Sequence, residues 1–319
     1  MLRAMSDPSD VLFDPAAAHP VVGEVRAAIA RRDWAATRAA IESAPADARC
    51  ALVRLGGSEK DLEGFLRGVL GRDPDDPLAG AMLGTHLTDH GWSIRTTALA
   101  KDVSREQFRA FHEWLRRAEQ VLIEAAARTP AEPAVWSARL TSARGLSLGQ
   151  AETRRRYDRL RALDPHNYDG QRQFLQTLCP KWGGSLDALH AWAREEMLAA
   201  PPGGLQGGLV AEAHFEHLVQ LDGAQRGAFL ADQRVRAELH EAAHRSIWHP
   251  EFRRPIGWVR VASGFAMMFG LLKDERSAAA AFAVLGNLAS EWPWSGTGQD
   301  PAVTIRQRRA RAYAAAGGA

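Results

Sequence analysis

The chain has 319 residues, 46% of them hydrophobic and 24% charged, with a formal net charge of +2. That is enough apolar material for a sizeable core. The near-neutral balance excludes a global basic field that would draw the protein to nucleic acid or to an acidic membrane surface. Cys50 and Cys179 stand far apart with no CxxC pair, so no disulfide framework is expected, and a reducing, cytoplasmic location is.

Residues 1–19 are rich in Asp, Pro and Ala without apolar period and are expected to form a flexible lead-in. They carry no apolar stretch of the kind a secretory leader needs. From residue 20 onward helical patterns follow one another with short breaks. No run of alternating β-branched residues bounded by turns points to a strand. The clearest helix covers 104–128, where Phe108, Phe111, Leu115, Ala118 and Leu122 recur on one face of a 3.6-residue period. Ser104 with Gln107 makes a capping box at its start, and Ser147 with Gln150 repeats the pattern. Pro130 and Pro133 close that helix and open the next.

Helical runs end at Pro130, Pro165 and Pro201, spaced 35 and 36 residues apart, and Asp73-Pro74 is a similar turn upstream. A period near ~34 residues with two helices and a terminal proline is the tetratricopeptide pattern. Residues 72–201 resemble that family in period and turn chemistry. The resemblance implies an all-α fold, an α-α superhelix in which antiparallel helix pairs stack as a solenoid around a shared groove. The first helices of successive pairs would line it, which nominates Trp136, Arg139 and Arg144 in one unit and Gln171, Arg172 and Gln176 in the next.

The run Cys179-Pro180-Lys181-Trp182-Gly183-Gly184-Ser185 carries a narrower likeness. Its Pro-x-Trp-Gly-Gly-Ser turn resembles that of a bacterial family of tetratricopeptide-like proteins of unknown function. Residues 246–252 and 291–294 are similar to C-terminal parts of the same family. From the residues themselves, Gly183 and Gly184 are expected to supply positive φ in a tight turn, and Ser185 to cap the following helix. Trp182 would plug the gap between helices. The glycine-rich stretch 203–208 reads as a linker. It would divide a repeat region over 20–202 from a C-terminal helical region over 209–319 that continues the stack.

His240-Glu241-Ala242-Ala243-His244 matches HExxH. On a helix the two histidines share a face and suit zinc, with Glu241 as general base for a bound water. A third ligand would have to come from Glu251 or Glu275. Arg245 and Ser246 directly after the motif, and the lack of a strand to align substrate, weigh against it. His214 and His217 form a further pair, flanked by Glu212 and Glu216. A helical di-metal centre needs two Glu-x-x-His sequences, and only Glu241-x-x-His244 fits. The last three helices are expected over 255–272, apolar nearly all round but too short to span a bilayer, over 276–292, and over 301–316. Arg306, Arg308, Arg309 and Arg311 make the final one a polar cap.

The expectation is therefore a non-enzymatic interaction scaffold that holds a peptide or protein partner in a helical-repeat groove. It needs no cofactor and has no nucleic-acid or membrane partner. The alternative is a metal-dependent hydrolase or oxidase that holds zinc through His240 and His244.

Overall fold

The computed structural model describes residues 11–96 and 102–317. The part of the expected lead-in over residues 1–10 lies outside them. The described residues are all-α, and their sole extended pairing is an isolated parallel bridge between Leu12 and Leu288. They divide into two compact units, one of residues 20–185 and one that joins the described part of segment 1–19 to residues 186–317. The division falls inside the expected repeat over 167–201, ahead of the glycine-rich stretch.

In chain order, α1 (Pro15–Ala18) belongs to the second unit. The first unit holds α2 (Pro20–Ala30), α3 (Trp34–Ser43), α4 (Ala46–Gly57), α5 (Glu63–Arg72), α6 (Pro77–Arg95), α7 (Arg105–Arg128), α8 (Pro133–Gly145), α9 (Gln150–Leu163) and α10 (Tyr168–Leu178). The second unit continues with α11 (Leu186–Ala199), α12 (Gly207–Leu218), α13 (Gly223–Ala231), α14 (Gln233–Arg245), α15 (Trp258–Leu271), α16 (Glu275–Leu285) and α17 (Pro301–Gly317).

Short polar caps start several helices of the first unit. Asp33, Asp76 and Asn167 accept the backbone amides of Ala36, Ala79 and Gly170 at 3.0, 2.9 and 2.8 Å, satisfying donors that the helix leaves open. Pro77 and Pro133 occupy the first turns of α6 and α8. The capping box at Ser104 forms, with Gln107 N donating to Ser104 Oγ at 3.1 Å and Ser104 N to Gln107 Oε1 at 3.0 Å. Ser147 makes no such box. Its φ is 53°, and α9 starts from Gly149 at φ 89° without a side-chain cap. Gln150 instead donates to the carbonyls of Thr177 and Trp182 at 2.6 and 3.0 Å, tying the start of α9 to the end of α10.

In the first unit α2 packs on α3, α6 on α7 and α8 on α9, while α2, α4, α6, α8 and α10 pack one on the next. Leu83, Leu87, Leu115, Leu122, Leu140, Leu160 and Leu175 are fully buried between them. Each contributes on the order of 2 kcal/mol of apolar burial. One charged cluster interrupts this core. Glu119 of α7 accepts from Arg139 of α8 at 2.9 Å, from Ser142 at 2.6 Å and from Arg156 of α9 at 2.8 and 2.9 Å.

In the second unit α15 is central, packing on α12 and α16, with Phe265 and Phe269 fully buried. It starts at Trp258, three residues after Pro255, from Gly257 at φ 104°. α16 stops at Leu285 because Gly286 turns the backbone to φ 62°, so the helix expected over 276–292 is cut short. Residues 287–289 instead pair with the lead-in: Leu12 N donates to Asn287 O at 2.8 Å and Ala289 N to Leu12 O at 2.9 Å. Segment 11–19 is thus tied down. In α17, Ile305 and Ala312 are buried and Arg311 pairs with Glu275 at 2.7 Å. Among the described residues no helix is long and apolar enough to cross a membrane.

The stretch 203–208 does not act as a linker. Gly203 N donates to Arg245 O at 3.0 Å, and Gly207 and Gly208 open α12. A Cβ on Gly207 would stand 2.3 Å from Ala242 O and 2.7 Å from Ser246 Cβ. The glycine is there for close helix approach rather than for flexibility. Gly207→Ala is expected to cost about 2 kcal/mol through forced separation of α12 and α14, read as a lowered urea midpoint. A midpoint equal to that of the parent would contradict this account.

Candidate functional site

Four helices of the first unit, α4, α6, α8 and α10, wall a cavity of about 270 Å³. Arg54 of α4 reaches across to Asp169 of α10 at 2.7 Å. Thr88, Asp89 and Trp92 come from α6, and Ser137 and Arg144 from α8. Asp89 accepts from Ser58 Oγ at 2.6 Å, and burial pushes its carboxyl above the ordinary range despite that bond. Arg144 Nη1 donates to Gln173 O and Oε1 at 3.3 and 3.0 Å. Its guanidinium lies 5.5 Å from the Trp92 ring and 5.9 Å from the Trp182 ring. These contacts fix a long side chain in one orientation. Arg172 stands on the same wall, 3.9 Å from Asp169. Cys50 lies in the inner wall with its thiol pushed up by burial, which disfavours the thiolate a nucleophile requires.

Of the six residues nominated for the groove, Arg144 and Arg172 line this cavity. Trp136 turns inward, its indole N–H donating to Pro130 O at 2.9 Å. Arg139 is held on Glu119, and Gln171 is buried with its amide on Pro165 O at 3.2 Å. Gln176 is half-buried near the end of α10, away from the cavity lining. Helical position alone does not tell the cavity face of α8 or α10 from the face against the neighbouring helix. Arg54, Asp89, Trp92 and Asp169 carry no sequence signal that marks them for the groove. The uneven interval upstream of Pro130 hides the fact that α4 and α6 belong to the same row as α8 and α10.

The HExxH residues lie on α14 in the second unit. His240 Nε2 stands 2.9 Å from Asp274 Oδ2, an oxygen that also accepts from Arg236 at 2.8 Å. Asp274 caps α16 through Ser277 N at 3.2 Å, which fixes it in place. Glu241 is paired with Arg194 at 2.6 Å, and His244 packs edge-on to Trp248. Glu275 is paired with Arg311, and Glu251 is exposed. Among the described residues no third donor converges with His240 and His244. A catalytic zinc needs three protein donors around one point, and this motif does not assemble them.

The donors that do meet are His190 of α11, His214 of α12 and Glu238 of α14. The sequence singles out His214 with His217. His190 and Glu238 each lie 24 residues from His214, on other helices, so no local spacing links them.

Comparison of the chain with family models, with curated proteins and with solved structures finds no match.

Proposed function

We propose that the 20–185 unit is a non-enzymatic interaction scaffold, a tetratricopeptide-like superhelical stack of helix pairs. Its groove takes an extended peptide or protein segment bearing a carboxylate. The observation that carries this reading is the cavity walled by α4, α6, α8 and α10, first helices of successive pairs, with Arg54, Arg144 and Arg172 on its walls. Two aspartates face the three arginines: Asp169 is paired with Arg54 and stands 3.9 Å from Arg172, and Asp89 accepts from Ser58 Oγ. Three guanidinium groups against two carboxyls give the cavity a net positive lining, and Arg144, held against Trp92 and Trp182, suits a planar anion that accepts two parallel hydrogen bonds. Little side-chain entropy remains to be lost on binding.

A peptide array that varies acidic content tests the reading. The parent chain is expected to select sequences with acidic side chains or a free C-terminal carboxylate. Arg144→Glu and Arg172→Glu are each expected to weaken the selected peptides at least ~10-fold, the scale of one lost charge-assisted hydrogen bond. Helicity and thermal midpoint should stay near the parent values. An array with no acidic preference, or reversals that leave affinity unchanged, would remove the support for a groove binder.

A further inference from the structure

We propose that the second unit holds a divalent transition-metal ion, zinc by donor preference, between His190, His214 and Glu238. Three helices, α11, α12 and α14, each send in one donor, and one ligand atom from each lies within 4.8 Å of the others. Around a tetrahedral zinc with bonds of ~2.0–2.2 Å, ligand atoms sit roughly 3.3–3.6 Å apart. The widest separation therefore needs to close by about an ångström and the 2.9 Å His214–Glu238 contact to open by a few tenths, within reach of side-chain torsions alone. Two imidazoles and one carboxylate suit zinc and its first-row neighbours. Calcium and magnesium prefer all-oxygen shells.

The surroundings are those of a ligand site more than of a finished core. His214 is 3% exposed, and its Nε2 stands 2.9 Å from Glu238 Oε2. Its Nδ1 is buried with no hydrogen-bond partner. A buried polar atom left in this state is uncommon in a packed core. Which ring nitrogen faces Glu238 is interchangeable by a half-turn of the imidazole, so either can serve as donor. His217, one turn along α12, has its Nδ1 3.0 Å from His190 Nε2. That contact would orient the His190 ring, the part that outer partners of metal-bound histidines play. Phe229 of α13 lies 5.8 Å from the His214 ring and 4.6 Å from that of His217, walling the cluster with apolar surface.

Among the charged neighbours, Arg194 of α11 is paired with Glu241 of α14 at 2.6 Å. A cavity of about 230 Å³ opens beside His190 and Glu238, bounded by Arg194 and Val210. It provides an entry path. With three protein donors, the fourth tetrahedral position would face water there.

The test uses the full chain, purified without a histidine tag and stripped by chelation, titrated with zinc and then with cobalt(II). Expected are a single zinc per chain and the intense visible absorption of four-coordinate cobalt. His214→Ala and Glu238→Gln are each expected to weaken zinc at least ~100-fold, with circular dichroism confirming that each variant folds. His240→Ala and His244→Ala are expected to bind as the parent does. Failure of the parent chain to retain zinc would overturn the site, as would a weak octahedral cobalt spectrum, neither outcome depending on a variant. Loss of zinc on His240→Ala or His244→Ala would equally overturn it, by placing the ion on HExxH.

Discussion

Glu119→Ala is expected to destabilise the protein by about 3–5 kcal/mol, the usual consequence of removing one partner from a buried ion cluster. Glu119 is 8% exposed and lies between Arg139, 7% exposed, and Arg156, 3% exposed. With the carboxylate gone, two guanidinium groups from α8 and α9 face each other without a counter-ion. Glu152, which pairs with Arg156 at 2.7 Å, can compensate only one of them. Glu119→Gln keeps an acceptor for Ser142 and should fall between. Arg155→Ala removes an exposed pair with Glu152 and should change stability by less than ~0.5 kcal/mol. The measurement is the urea midpoint at unchanged slope. A Glu119→Ala midpoint matching that of Arg155→Ala would mean the cluster does not hold α7, α8 and α9 together.

The same carboxylate sets an acid limit. Burial opposes ionisation of Glu119, but hydrogen bonds and charge from Arg156, with Ser142 and Arg139, outweigh it and hold its pKa below the ordinary 4.5. A group depressed in the folded state contributes fully above its unfolded pKa and loses that contribution as pH falls through the folded value. The parent should therefore lose stability below about pH 4.5, and Glu119→Gln should lose less over the same window.

Gly184→Ala is expected to cost about 3 kcal/mol, against about 1 kcal/mol for Gly183→Ala. The two adjacent glycines are required for different reasons. Gly183 sits at φ 85°, and a Cβ there would meet nothing within 4 Å, so alanine encounters only backbone strain. A Cβ on Gly184 would stand 2.0 Å from Leu178 O and 2.3 Å from Leu178 C. Both atoms are backbone at the end of α10 and cannot swing aside. The turn would have to open, pulling on the Gly184 N–H bond to Cys179 O at 3.2 Å. Thermal midpoints of the two variants give the comparison. Equal losses, or a larger loss at Gly183, would show that the close approach does not matter.

The parts of this architecture legible from the chain are those governed by local chemistry. The stripe through Phe111, Leu115 and Leu122, the cap at Ser104 and the prolines opening α6 and α8 each act within a few residues. A glycine pair usually means a turn, which suggests positive φ at Gly184 as well as at Gly183. The true constraint on Gly184 is the neighbouring Leu178 carbonyl, which only the folded chain brings close. The same limit explains the site residues. HExxH is conspicuous because its members are adjacent in sequence, yet Asp274 and Arg194, both remote in the chain, take up His240 and Glu241. His190, His214 and Glu238 leave no local pattern because each comes from a separate helix. Arg139 and Arg144, five positions apart on one helix, look equivalent in sequence. One is enclosed with Glu119 and the other stands on the cavity wall.

The bridge between Leu12 and the backbone at Asn287 and Ala289 makes the C-terminal unit discontinuous, its sequence interrupted by the 20–185 unit. On the ribosome, the inserted unit emerges whole long before residues 287–289 exist. Residues 11–19 must wait through its synthesis for their pairing partner. A chain begun at residue 20 would leave the Asn287 carbonyl and the Ala289 amide without their mates, so a segment far away in sequence is needed to complete the interrupted unit.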